Sequence, residues 1–377
     1  MKKISRVILL SIVLCSISAC NQKVQKTEKS ADSFIQDTSH FDEKEYKDCI
    51  AIKYAKGLKV EYKEDGVHVT ISNPSMKSKS KTEEFVINKK NNRFVCTTAL
   101  QIGNFEVLGL EDKIVGTNSI KNLFSDKLKK QIKEGKTQTI GKEGNFDAEK
   151  VIALKPDFII VSASKHGGYE VLKDCGIPIL PHHGYKEPTP LGQAEWIKLI
   201  GLMTGEERRA NAVFDEIETK YNKLKEEVAA KCVGKEKPTI ASGRQLREGW
   251  YHVGGKSYMA KIFADAGTKY IMSDNNETGG ETCDFEYAYA KNIDADYWQI
   301  DGSFDGEFSM EDLKKEDERY ATLKAFKNNN VIFCNLKETP YRELAGVYPH
   351  IVLADFVKVI HPEILPNYTP TFYKRIK

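Results

Sequence analysis

Short apolar runs alternate with helical patterns along most of the chain. The strand-like runs are 93–96, 113–116, 158–162, 177–181, 239–242, 297–300 and 331–334. Helical periodicity fills most of the intervals between them. Strands that alternate with helices predict an α/β fold with parallel sheets.

One segment breaks this alternation, because its helical periodicity continues from Thr189 to about Lys231. Thr189 is a good N-cap residue, and Pro190 suits the first helical position. The part that follows Thr204-Gly205 would alone be roughly 39 Å long at about 1.5 Å per residue. We therefore predict a long rigid helix over 189–231 that joins two α/β lobes.

A weak internal repeat supports the two lobes. Phe146-Asp147-Ala148-Glu149, a helix and a strand have a counterpart in Asp284-Phe285-Glu286-Tyr287, a helix and a strand. We place the first lobe at 93–188 and the second at 232–377, with a closing helix around 349–360. The crevice between two such lobes is the expected ligand site.

A shorter pattern precedes the first lobe. Val67, Val69 and Ile71 alternate with polar residues, which indicates a half-exposed strand. Residues 46–92 are therefore predicted to form a small β-rich lead-in.

The N-terminus has the pattern of a secretory signal. Lys2, Lys3 and Arg6 precede an apolar run over 7–17 that is too short to span a bilayer. Ile17-Ser18-Ala19-Cys20 resembles the lipobox of bacterial lipoproteins, which predicts a signal peptide over 1–19 and a lipid-modified Cys20. Residues 20–45 are polar and predict a flexible tether, with the protein in the cell envelope facing the periplasm or the exterior.

Charge excludes some functions. The chain has 57 basic and 54 acidic residues, for a net charge of +3, which is far from the basic surface that nucleic acid requires. Nucleic acid is not an expected partner. We find no GxSxG, Walker, GxGxxG or HExxH pattern, and we expect no enzymatic activity and no resident cofactor.

The order of several motifs resembles the class III periplasmic solute-binding proteins, the receptors of ABC importers for ferric siderophores, cobalamin and heme. The resemblance runs from about residue 90 to the C-terminus. Its motifs are 108–116 (LGLEDKIVG), 149–157 (EKVIALKPD), 176–179 (GIPI), 189–196 (TPLGQAEW), 250–255 (WYHVGG), 264–267 (ADAG), 326–328 (FKN), 353–355 (LAD) and 361–363 (HPE).

The resemblance implies two Rossmann-like lobes and a monomeric receptor that delivers a small-molecule metal complex to the transmembrane subunits of an importer. A ferric siderophore is the first expectation, cobalamin the second and heme the third. The crevice should be lined by loops at the carboxyl ends of the strands. The side chains that these loops offer for ligand binding are Lys165, His166, His182, Tyr185, Arg244, Trp250, Tyr251, Tyr341 and Arg342.

Two chemical properties connect these residues to such a ligand. Aromatic rings stack on planar or macrocyclic groups, and arginines pair with carboxylate or hydroxamate oxygens. Only nine arginines occur in the chain, so the positions of Arg244 and Arg342 in these loops favour an anionic or oxygen-rich chelate.

The resemblance also implies docking sites, because relatives carry one glutamate at the tip of each lobe that pairs with arginines of the permease. Glu170 follows a glycine pair in the first lobe, and Glu286 opens a helix in the second. Near a helix start, a glutamate also stabilises the helix dipole, which is the alternative interpretation of both residues.

A zinc receptor is a competing interpretation, because it has a similar long helix. His166, His182, His183, His252 and His350 are its candidate ligands. No fixed metal-ligand spacing is visible, however, and adjacent histidines on a strand would point in opposite directions. A hydrolase with an unrecognised site is the other alternative.

Overall fold

The lead-in is a small antiparallel sheet. The computed structural model describes residues 46–74, 82–88, 90–118, 122–142, 145–162 and 170–376. The sheet has the strand order β1-β2-β3, formed by β1 (Leu58–Lys63), β2 (Gly66–Ile71) and β3 (Glu83–Ile87). Val69 and Ile71 are buried, as their alternation with polar residues predicts.

The first lobe is built around a five-stranded parallel sheet with the order β10-β9-β4-β5-β6. Its elements are β4 (Phe94–Cys96), α1 (Ala99–Val107), β5 (Ile114–Thr117), α2 (Asp126–Lys133), β6 (Gln138–Thr139), β7 (Gly141–Lys142), β8 (Asn145–Phe146), α3 (Ala148–Leu154), β9 (Phe158–Val161), α4 (Glu170–Lys173) and β10 (Ile179–Pro181).

Three helices connect the lobes, namely α5 (Pro190–Ala194), α6 (Ile197–Thr204) and α7 (Glu207–Lys231). The Thr189 hydroxyl accepts a hydrogen bond from the Gly192 N–H, so the predicted helix start is correct. The prediction of one helix over 189–231 is wrong, because Gly205 ends α6 with a φ of 73°, in the left-handed region. The 25-residue α7 is the long element of the connection.

The second lobe has a five-stranded sheet with the order β14-β11-β16-β17-β18, in which only β18 is antiparallel to its neighbour. The same lobe also contains a three-stranded antiparallel sheet with the order β12-β13-β15. The elements are β11 (Thr239–Ser242), β12 (Arg244–Leu246), β13 (Gly249–Val253), α8 (Tyr258–Asp265), β14 (Lys269–Tyr270), β15 (Gly280–Cys283), α9 (Phe285–Asn292), β16 (Tyr297–Gly302), α10 (Met310–Glu316), α11 (Lys324–Lys327), β17 (Val331–Asn335), α12 (Tyr341–Leu344), α13 (Pro349–Ile360) and β18 (Tyr373–Arg375).

The two lobes share one hydrophobic core. A single cluster of buried side chains includes Phe94 and Phe105 of the first lobe, Phe214 of α7 and Phe356 of α13. Helix α1 of the first lobe also packs closely on α12 of the second. A Cβ on Gly103 would lie 1.9 Å from the Glu343 carbonyl oxygen, so only glycine permits this approach. The lobes are therefore held together by side-chain packing as well as by the connecting helices.

Two buried carboxylates hold the lead-in against the first lobe. Glu195 accepts hydrogen bonds from three backbone N–H groups of residues 53–55 at 2.6 to 2.9 Å, and Glu187 accepts from those of residues 56 and 57, both at 2.9 Å. The Trp196 indole and the Lys198 ammonium complete their shells, each at 3.0 Å. We call this arrangement the carboxylate clamp.

Candidate ligand-binding crevice

A crevice of about 720 Å³ lies between the lobes and is lined by both. The first lobe contributes residues of the segments that follow β4, β9 and β10, as expected for a parallel sheet. The second contributes residues of β13, α8, β16, α12, β18 and the loop before β15. The lining residues are Thr98, Ser162, Tyr185, Lys186, Tyr251, Val253, Ser257, Tyr258, Met259, Thr278, Gly279, Gly280, Gln299, Asp301, Tyr341 and Tyr373.

A groove of similar size, about 770 Å³, lies elsewhere on the second lobe. Lys237, Lys256, Lys261 and Lys269 line it, and Pro188 is its only lining residue from outside that lobe. A ligand held there would touch one lobe almost exclusively. The crevice is the site that uses the two-lobed architecture.

Three phenols, those of Tyr258, Tyr341 and Tyr373, line the second-lobe wall of the crevice. The rings of Tyr341 and Tyr373 meet edge to face with their centres 5.3 Å apart. The Gln299 amide donates to the Tyr373 hydroxyl at 3.3 Å. Burial raises the pKa of all three phenols, so they remain neutral at physiological pH. This wall therefore combines ring surface with hydroxyl groups.

Asp301 lines the crevice beside these phenols. It is solvent-exposed at the crevice, and its Oδ1 accepts a hydrogen bond of 3.5 Å from the Gln299 amide. The surrounding protein raises the pKa of its carboxyl by desolvation, although Arg244 and Arg342 act in the opposite direction. Asp301 also raises the pKa of Tyr251 and of Tyr258, since its negative charge disfavours a phenolate.

Each lobe contributes a further tyrosine to the crevice, Tyr185 from the first lobe and Tyr251 from the second. Tyr251 is 45% exposed, and its ring packs where Gly280 of β15 has no side chain, because a Cβ there would lie 1.8 Å from the phenol oxygen. Tyr185 is half-buried beneath Lys186, whose Nζ lies 5.0 Å from the ring centre. This Nζ also lies 3.9 Å from the position of a Cβ on Gly279, so Lys186 reaches the second lobe.

Trp250 does not face the crevice, and the prediction that it contacts the ligand is wrong. Its side chain is fully buried and stacks on Trp298 at a ring-centre distance of 5.9 Å. The indole N–H donates to the Ser242 carbonyl at 3.0 Å. Side chains alternate along β13, so the exposure of Tyr251 places Trp250 in the core.

The prediction that His182 contacts the ligand is also wrong. The side chain is buried and packs on Trp196 with ring centres 4.7 Å apart. Burial lowers its pKa to about 3, so the ring is neutral. His183 is buried beside it, and burial lowers its pKa to about 4. Neither histidine is among the lining residues of the crevice.

The two predicted arginines lie beside the crevice rather than in its lining. The Arg244 guanidinium, 19% exposed, donates to both carboxylate oxygens of Glu316 at 2.7 and 2.6 Å. Arg342 is exposed, and its positive charge lowers the pKa of the Asp301 carboxyl. The positive charge of Arg244 is therefore already paired within the protein.

Several predicted residues lie wholly or partly outside the described part of the chain. These are Cys20, Lys165 and His166, together with the side chain of Glu170, whose backbone begins α4. Glu286 lies in the first turn of α9 and is 84% exposed, with Arg319 Nη1 3.9 Å from its carboxylate. Its position agrees with a docking role, which stays a prediction.

Sequence reasoning missed Lys186, Tyr258, Gln299 and Tyr373, although all four line the crevice. Of the four, Lys186 was the easiest to find from the sequence, because it directly follows the predicted Tyr185. Tyr373 reaches the site because β18 pairs antiparallel with β17, a long-range pairing that no local pattern indicates.

Two kinds of feature are absent from the described residues. No group of three or more His, Cys, Asp or Glu side chains there is arranged to hold a metal ion. None of the helices in that part of the chain has the length and apolar character needed to cross a bilayer.

The sequence matches the family model described as "Periplasmic binding protein" over residues 94–337. The chain therefore belongs to the periplasmic binding protein family, and its helix-joined lobes are those of class III. An uncharacterized lipoprotein of Methanocaldococcus jannaschii is 28% identical over 298 residues, which are 76% of this chain and 69% of the relative. An uncharacterized ABC transporter substrate-binding lipoprotein of Bacillus subtilis is 27% identical over 188 residues, 48% of this chain and 53% of the relative.

Solved structures confirm the predicted α/β fold. A periplasmic heme-binding protein from Pseudomonas aeruginosa has a TM-score of 0.57 at 18% identity, covering 72% of this chain and 93% of that one. The periplasmic catecholate-siderophore binding protein VctP from Vibrio cholerae has a TM-score of 0.56 at 15% identity, covering 79% and 99%. Both structures share less than 25% identity with this chain and therefore show its fold, whereas the family follows from the match over residues 94–337.

Proposed function

We propose that this protein captures a ferric siderophore between its lobes and delivers it to the transmembrane subunits of an ABC importer, without catalysis. The observation that carries the proposal is the crevice of about 720 Å³, lined from both lobes by tyrosines and other hydrogen-bonding groups. Phenol rings offer apolar contact area, and their hydroxyls donate to the oxygen atoms of a chelate.

The packing of the lobes supports a receptor of this kind. The shared core and the close contact of α1 with α12 limit how far the lobes can separate. A largely preformed crevice loses little freedom when its ligand binds, so a modest closing motion suffices for high affinity.

The proposed location is the cell envelope, with the protein anchored to the membrane through a lipid on Cys20 and facing the periplasm or the exterior. Two observations support it: the lipobox-like 17–20 (ISAC) and the two relatives named as lipoproteins. Cys20 is to be tested by mass spectrometry of the mature N-terminus.

Heme is a second candidate ligand, and a specific observation favours it. Tyr185 and Tyr251 bring phenol groups from opposite lobes to the crevice, and a tyrosine oxygen can ligate ferric heme. The heme-binding neighbour from Pseudomonas aeruginosa has the same fold.

The test is a titration of the purified mature protein with a ferric tris-hydroxamate, a ferric tris-catecholate, hemin and cobalamin. Binding would be followed by tryptophan fluorescence and native mass spectrometry. We expect a ferric chelate to bind one-to-one with a Kd on the order of 1 µM or below. Tight binding of cobalamin alone would replace the proposed ligand, and binding of none of the four would overturn the proposed function.

A further inference from the structure

The described part of the crevice lining carries little charge. Among its sixteen described residues, Lys186 is the only cation and Asp301 the only anion. The remaining side chains are phenols, hydroxyls, an amide and apolar groups. A polyanionic ligand would therefore meet one positive charge in the lining and would have to approach one negative charge.

The nearest guanidinium groups do not change this balance much. Arg244 is bound by Glu316 through both carboxylate oxygens, and the pair is close to neutral. Arg342 is exposed outside the lining and is screened by solvent. Within the described residues, neither arginine has a nitrogen within the 4.0 Å ion-pair distance of Asp301.

Asp301 is therefore a carboxylate that lacks donors. An ionised carboxylate has room for about four hydrogen bonds. Among the described residues, Asp301 has one side-chain donor, the Gln299 amide at 3.5 Å. Asp301 is exposed, so its other acceptor positions are accessible to solvent. A ligand that covers this carboxylate without offering it donors would therefore bind less favourably.

The neighbouring phenols do not remove this requirement. Among the described residues, none of the hydroxyls of Tyr258, Tyr341 and Tyr373 donates to Asp301, and the Tyr373 hydroxyl accepts from Gln299. Tyr251 is held over Gly280. A donor on the ligand, above all an ammonium group, is the natural partner for Asp301.

We propose that Asp301 makes the crevice selective for a neutral or singly cationic chelate that carries an N–H donor, and that it discriminates against polyanionic chelates. This inference rests on the proposed function and names the charge class of its ligand. Three hydroxamates neutralise Fe³⁺, whereas three catecholates leave three negative charges. The favoured ligand is thus a tris-hydroxamate chelate with an amine or amide group near its periphery.

The experiment uses one linear tris-hydroxamate ferric chelate in three forms. Its terminal amine is left free, acetylated or succinylated, which gives net charges of +1, 0 and −1 on one framework. Affinities are measured by isothermal titration calorimetry with the mature protein at about pH 8, where carboxylates ionise. We expect the ammonium form to bind at least about tenfold more tightly than the succinylated form, with the acetylated form between them.

Asp301→Asn should reduce the spread of the three affinities to within about threefold, mainly by weakening binding of the ammonium form. Asp305→Asn is the matched control, because Asp305 lies in the same lobe, is 90% exposed and pairs with Lys337 away from the crevice lining. It should preserve the full spread. Circular dichroism would establish that both variants are folded.

The possible failures are distinguishable. Equal affinities or a reversed order in the unaltered protein would overturn the role of Asp301 while leaving a ferric chelate as the ligand. An unchanged spread in folded Asp301→Asn would do the same. If none of the three forms binds, and hemin, cobalamin and a ferric tris-catecholate also fail, the proposed function itself is wrong.

Discussion

Trp250 and Tyr251 are adjacent in the sequence but belong to different parts of the molecule. Trp250 packs in the core against Trp298, and Tyr251 is 45% exposed at the crevice. Their separation follows from the alternation of side chains along β13. The flanking glycines Gly249, Gly254 and Gly255 are typical of turns, but they do not indicate which face of the strand is buried.

The two residues should respond differently to truncation. Trp250→Ala should lower the free energy of unfolding by about 3–5 kcal/mol, because it leaves a large cavity. Tyr251→Ala should lower it by less than about 1.5 kcal/mol and weaken chelate binding instead. Urea unfolding and ligand titration of both variants provide the check. Equal losses of stability would contradict the assignment of Tyr251 to the crevice.

Part of the site was predictable at this scale. The alternation of strands and helices indicates the loops and strand ends that contain four lining residues, Tyr185, Tyr251, Asp301 and Tyr341. The roles of the charged residues were not predictable, because they depend on partners far away in sequence. Arg244, for example, is paired with Glu316, 72 residues later.

Two packed helices from different lobes each carry a carboxyl group that is largely shielded from solvent. Glu106 on α1 and Glu343 on α12 are both largely shielded from solvent, and desolvation raises the pKa of each to about 7. The Glu343 charge raises the pKa of Glu106 further, as do Glu111 and Asp126, whereas Lys129 lowers it. Backbone N–H groups of residues 124 and 125 and Lys129 face Glu343 and lower its pKa.

These shifts predict a pH dependence of stability. A carboxyl whose pKa is higher in the folded state than its ordinary value of 4.5 stabilises the fold below that value. This contribution is lost as the pH rises through about 7, the pKa in the folded protein. Glu106→Gln keeps a neutral group, so its stability relative to the unaltered protein should increase by roughly 1–3 kcal/mol between about pH 5 and pH 8.

Chemical denaturation at the two pH values measures this change. Glu311→Gln is the control, since Glu311 is exposed on α10, and its relative stability should not vary with pH. A relative stability of Glu106→Gln that stays constant or falls with rising pH would show that the carboxyl ionises freely in the folded protein.

The main strands and helices were the most predictable elements. Each of the predicted strand-like runs contains or overlaps a strand of the structure. The β12-β13-β15 sheet was not predicted. Its strands β12 and β15 are short and polar, and they are held by pairing with β13 rather than by a local pattern. The dipeptide Thr204-Gly205 is a signal for a helix end, at the position where α6 ends. Because helical periodicity occurs on both sides of it, the sequence predicts one continuous helix instead.

On the scale of the molecule, the two lobes are coupled by their shared core. A partner that contacts both lobes would therefore bind differently when the crevice is open and when it is closed. Glu286 is exposed near the start of α9, and Glu170 begins α4. The proposed role of these residues is to pair with arginines of the importer's transmembrane subunits.

The double variant Glu170→Arg with Glu286→Arg should reduce uptake at least about tenfold, because like charges would then meet at both contacts. Chelate affinity should not change, since the proposed role of both residues is docking, and Glu286 is 84% exposed and lies outside the described lining of the crevice. Uptake by cells and calorimetry on the purified protein are the two measurements. Glu311→Arg, at another exposed site of the second lobe, serves as the control. Normal uptake by the double variant would remove the docking assignment.

The carboxylate clamp has a practical consequence for anyone who trims this protein to the region shared with its relatives. The family match begins at residue 94, whereas the five amide donors that satisfy Glu187 and Glu195 lie in residues 53–57. Both side chains are inaccessible to solvent in the intact chain. Removal of the preceding segment would leave these buried acids without their amide donors, so we expect the shared region alone to be less stable than the intact chain.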